Sequence, residues 1–132
     1  AYMCTGGLHL NKEDHALSMV RAAFEIIEIT EAVKNMDQTH IMPYEIRIGI
    51  NTGPVVAGVV GTQKFAYDIW GDTVNVAARM ETNSETGKIN VSENTYELIK
   101  DEFECEYRGK MKVKNKGMMK MYYVKKPKLQ VA

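Results

Sequence analysis

The segment Phe65–Met80, FAYDIWGDTVNVAARM, constrains the chain most. Phe65–Ile69 is an apolar, aromatic run with the period of a strand. Trp70-Gly71-Asp72-Thr73 breaks it and is expected to cap a helix over Thr73–Glu81. Asn75 and Arg79 stand at i and i+4 of that helix and share one face. Asp68 lies at the end of the strand. An amide, a guanidinium and a carboxylate at these offsets suit the sugar, phosphate and base amino group of a nucleotide.

The rest of the chain alternates strands and helices. Tyr2–Leu8 reads as a short strand ended by Gly6-Gly7. Asn11 is a plausible N-cap for a helix running to about Lys34. Leu17, Val20, Phe24 and Ile27 form its apolar stripe, which Ala16 and Ala23 widen. Met19, Ile26, Ile29 and Val33 carry it beyond one face, so something besides its own sheet is expected to cover this helix. Tyr44–Asn51 alternates as a strand with one buried face, and Val55–Val60 follows the Asn51–Pro54 turn. Lys88–Val91 is a strand, Ser92 caps a helix over Glu93–Lys100, and Phe103–Arg108 and Met118–Val124 close a lysine-rich hairpin. The pattern predicts a single α+β domain over residues 1–132, with a mixed or antiparallel sheet and helices packed on it.

Of the 132 residues 26% are charged, and the formal net charge is zero, so no global field draws in nucleic acid or an anionic membrane. Basic residues concentrate late, at Lys110, Lys112, Lys114, Lys116, Lys120, Lys125, Lys126 and Lys128. They are either a solvated strand edge, or one of them meets a polyphosphate. Cys4 and Cys105 have no metal-ligand spacing, which favours a reduced, intracellular protein. His9, His15 and His40 fit no nucleophile or zinc pattern. The run Gly53–Gly61 lacks a P-loop ending and reads as a strand kinked at Gly58. No apolar run reaches the roughly 18 residues of a membrane span, so no membrane contact is expected from this chain; a membrane-anchored parent is compatible with it.

Phe65–Met80 resembles the signature of the class III nucleotidyl cyclases, the adenylate and guanylate cyclases. Arg47–Gly61, Gly87–Ile99, Lys112–Val124 and Ala1–Leu8 resemble that family's flanking strands, helix and hairpins. The resemblance implies a ferredoxin-like core. It also implies two Mg2+ or Mn2+ ions, held by two aspartates, that drive attack of the ribose 3′-oxygen on the α-phosphate. One aspartate lies on the family's first strand. The other directly precedes the position of Ala1. The chain opens at the family's third strand, so neither is present, and a truncated fold that is inactive alone is expected. The family's sites form between two protomers.

Residue by residue, the resemblance gives Asp68 the role of adenine selector, which favours ATP. Asn75 orients the ribose, Arg79 stabilises charge at the α-phosphate, Lys114 binds the β- and γ-phosphates, and the Ile69 backbone lines the purine pocket. Blander roles compete: a turn aspartate for Asp68, a helix-start asparagine bonded to backbone for Asn75, and an ion pair with Glu81 or Glu85 for Arg79. Lys116 or Lys112 could replace Lys114. Three functions stay open: a cytoplasmic adenylate cyclase, a guanylate cyclase, and a non-catalytic module that pairs with another protomer. The absent central strand is to be compensated either by Tyr2–Leu8 closing onto Tyr44–Asn51 or, as we favour, by self-association with a second chain.

Overall fold

A computed structural model describes residues 2–7, 14–36, 45–60 and 66–129, with backbone alone for 56–60 and 66–70. The elements are α1 (His15–Met36), β1 (Ile48–Ile50), β2 (Val56–Val60), β3 (Ala66–Trp70), α2 (Asp72–Thr82), β4 (Ile89–Ser92), α3 (Glu93–Ile99), β5 (Phe103–Val113) and β6 (Gly117–Pro127). Four strands form a mixed sheet in the order β1-β4-β6-β5. β1 and β4 are parallel, and the other pairs are antiparallel. β2 and β3 form a separate antiparallel hairpin, with Gly58 opposite Asp68 and Ala57 opposite Ile69.

Alternation along β4 and β6 divides the core into two clusters. On one face Ala16, Val20 and Ala23 of α1 and Ile99 of α3 pack with Ile89, Val91, Phe103, Tyr122 and Val124. On the other, Val76 and Met80 of α2 pack with Val113 and Met121. The sheet therefore has helices on both sides. This corrects the single buried face expected for the strand at Tyr44–Asn51. Gly49 lies directly beneath α2: a Cβ there would overlap the Glu81 nitrogen and the Met80 carbonyl carbon. Glycine at this point lets a helix backbone touch a strand.

Tyr2–Gly7 is not a strand. It is irregular and bends at Gly6-Gly7, with φ of 77° at Gly7. It pairs with no strand among the described residues, and β1 pairs with β4 alone. The direct closure considered from the sequence is thus not formed by Tyr2–Gly7; Leu8, Tyr44 and the proposed cap Asn11 lie outside the described residues. As expected, the α1 stripe is wider than its sheet: Ile26, Ile29, Val33 and Met36 remain exposed.

β5 and β6 run to 11 residues each, longer than the sequence suggests. Gly109 does not end β5. It takes φ of 99° where the register shifts between Tyr107 and Gly109, and the strand continues past the bulge. Among the described residues no helix is long and apolar enough to cross a membrane. Cys4 and Cys105 are both free thiols, and burial pushes the Cys105 thiol up.

Candidate functional site

Helix α2 carries two of the residues expected to act, and both its ends are fastened. At the start, Gly71 occupies the N-cap position with φ of 129°, a conformation suited to glycine, and no side chain caps the helix there. Val74 and Asn75 donate their backbone N–H groups to the Gly71 carbonyl, each at 3.2 Å. Polar side chains then tie this end to the β1–β2 turn. The Thr73 hydroxyl donates to the Pro54 carbonyl at 2.5 Å, and the Asn51 amide donates to the Thr73 carbonyl at 3.0 Å. Ser92, the N-cap of α3, donates to Asn51 at 2.6 Å. Thr95, buried, shares a 2.8 Å bond with Thr52. One network joins β1, β4, α2 and α3.

Asn75, Arg79 and Lys114 line one cleft of about 330 Å³ between α2 and the tip of the β5–β6 hairpin, together with Asp72, Val76, Ala78, Val113, Asn115 and Lys116. The hairpin tip is a three-residue turn. Asn115 adopts φ of 67° and Gly117 φ of 73°, and Lys116 N–H bonds the Val113 carbonyl at 3.0 Å. Val113 is buried against α2, which presents Lys114 at the cleft.

The competing local roles of Asn75 and Arg79 do not appear among the described residues. The Asn75 side chain bonds no backbone group among the described residues. Glu81 pairs with Arg47 at 3.1 Å and Glu85 with Lys88 at 3.2 Å, so neither engages Arg79. Of the candidate lysines, Lys116 is ion-paired to Asp72 across the cleft mouth, and Lys112 does not line the cleft. Lys114 has no acidic partner among the described residues.

Asp68 and Ile69 are placed by their backbone on β3, just ahead of α2; their side chains lie outside the described residues. The sequence reading missed Asp72 and Lys116 as a pair. The signal available was an acidic residue in the first turn of α2 and a lysine at a hairpin tip. No group of three His, Cys, Asp or Glu side chains able to hold a metal occurs among the described residues.

A family model described as the adenylate and guanylate cyclase catalytic domain matches residues 1–126. The chain belongs to this family. It is 40% identical over 124 residues to an adenylate cyclase of Mycobacterium tuberculosis, covering 94% of this chain and 27% of that protein. The crystal structure of the adenylyl cyclase CyaB from P. aeruginosa matches with a TM-score of 0.86 at 28% identity, covering 96% of this chain and 68% of that one. The guanylate cyclase domain of RhGC from Catenaria anguillulae, solved with GTP, matches with a TM-score of 0.81 at 38% identity, covering 93% and 66%. This chain thus spans about a quarter of its mycobacterial relative. The mixed sheet with helices on both faces is the ferredoxin-like fold of these cyclase domains.

Proposed function

We propose that this chain supplies the nucleotide-orienting half of an adenylate cyclase site, which converts ATP to 3′,5′-cyclic AMP and pyrophosphate. The observation that carries this reading is the convergence of Asn75, Arg79 and Lys114, from a helix and a hairpin turn, on one cleft. In the reaction the ribose 3′-oxygen bonds to the α-phosphorus, its proton is lost, and the bond to pyrophosphate breaks. Arg79 offers a planar, permanently charged fork to the α-phosphate, where negative charge develops. Asn75, one turn earlier on the same face, holds the ribose. Lys114 is a point charge for the β- and γ-phosphates. A cleft of about 330 Å³ is near the small end of ligand sites, about 300–1,000 Å³. It has room for the ribose and phosphates, and the base would extend toward β3.

Mg2+ or Mn2+ would supply charge neutralisation for the leaving pyrophosphate when bound. The described residues do not fit such a pair. Asp72 is the one carboxylate lining the cleft, and Lys116 occupies it. The two metal aspartates, and with them a second protomer, are proposed to come from outside these residues. A cytoplasmic setting, where ATP is available, follows from the same proposal.

Asp68 favours ATP over GTP, because a carboxylate accepts a hydrogen bond from the adenine amine and repels the guanine carbonyl. In a domain completed with the family's first strand and metal aspartates, Asp68→Cys is expected to shift the ATP-to-GTP ratio of kcat/KM toward GTP by about 10- to 100-fold. Steady-state kinetics with both nucleotides measure this. An unchanged ratio would take Asp68 out of the base pocket and return the guanylate reading to equal standing.

A further inference from the structure

The C-terminal end of α2 is held by side chains that no cyclase role explains. The last carbonyls of a helix lack partners within it. Here they find them in an ordered relay. Asn83 donates its backbone N–H and its side-chain amide to the Arg79 carbonyl, at 3.0 and 2.8 Å. Asn90 of β4, completely buried, donates its amide to the Met80 carbonyl at 2.9 Å. Arg108 of β5 donates one terminal nitrogen to both the Asn83 carbonyl, at 2.7 Å, and the Asn90 side-chain oxygen, at 3.0 Å. The guanidinium lies 4.0 Å from the centre of the Tyr123 ring, which holds its plane. Its charge also sits at the negative end of the α2 dipole.

We propose that Arg108 is a positioning residue. Through Asn83 and Asn90 it fixes the last turn of α2 so that the Arg79 side chain stays directed to the phosphate cleft. The inference rests on the phosphate-binding reading of Arg79. One guanidinium nitrogen bridges the carbonyl of the C-cap residue Asn83 and the side chain of Asn90, which grips the Met80 carbonyl in the last turn of α2. A lysine would keep the charge but not the fixed plane or the stacking on Tyr123. The turn would then remain capped yet lose its defined rotation.

The experiment is an ATP titration of the 132-residue chain, followed by amide NMR shifts, for the wild type, R79A, R108K and the double variant. All are compared below their unfolding midpoints, with circular dichroism establishing that each is folded. R108Q replaces R108K should the latter not fold. R79A is expected to weaken ATP binding about tenfold and R108K about three- to tenfold, while the double variant binds within about twofold of R79A. That non-additivity is what an effect transmitted through Arg79 requires, and general loosening of the fold would not produce it. Wild-type affinity in R108K, or losses that multiply in the double variant, would overturn the inference and leave the site reading intact. Wild-type affinity in R79A, or no ATP binding by the unaltered chain, would overturn the site reading and this inference together.

Discussion

Gly49→Ala is expected to destabilise the chain by at least about 3 kcal/mol, the upper part of the range for overpacking, because the obstruction is backbone and no rotamer relieves it. The added carbon would overlap the Glu81 nitrogen and stand 2.5 Å from the Glu81 Cα. Relief requires α2 to lift from β1, which breaks the Val76–Met80–Met121 packing and moves the Asn75–Arg79 face. Gly87→Ala is the comparison. Gly87 has φ of 77°, but a side-chain carbon added there would meet nothing within 4 Å, so its cost is backbone strain alone, about 1 kcal/mol. Urea unfolding followed by circular dichroism ranks the two. Equal midpoints would mean that α2 does not rest on Gly49.

Arg79→Ala, in a domain completed with the family's metal aspartates, is expected to lower kcat about 100- to 1,000-fold, more than it weakens ground-state binding, which falls about tenfold. The guanidinium then acts on charge that appears in the transition state. Lys114→Ala is expected to do the reverse and act chiefly on KM, because the β- and γ-phosphates are already charged in the ground state. Initial-rate kinetics over a range of ATP concentrations separate the two. A large KM effect in Arg79→Ala at constant kcat would make Arg79 a ground-state anchor.

The two predictions differ in how far the sequence shows their basis. The i, i+4 spacing of Asn75 and Arg79 is local, so helix geometry alone sets them on one face, and the structure has both on the cleft. Lys114 is one of several alternating lysines. Burial of its neighbour Val113 and the Asn115 turn distinguish it, and both depend on tertiary packing. Gly49 sits among Glu45 and Arg47 on what reads as a solvent face. What covers that face is a helix beginning 23 residues later, at Asp72, and alternation does not register it. Arg108 and Asn90 are also silent in sequence, because each works through a carbonyl of a distant helix end. Tyr2–Gly7 has the composition of a strand, but a strand needs a paired neighbour, and none of the described residues provides one.

The most direct measurement is of product. The 132-residue chain and the domain completed with the family's first strand and two aspartates are each incubated with ATP and a divalent metal, and cyclic AMP and pyrophosphate are quantified. The completed domain is expected to form the two in equal amounts, and the 132-residue chain neither. Turnover by the 132-residue chain at the completed domain's rate, or a folded completed domain that makes no cyclic AMP, would contradict the assignment of the cleft as the nucleotide half of an adenylate cyclase site.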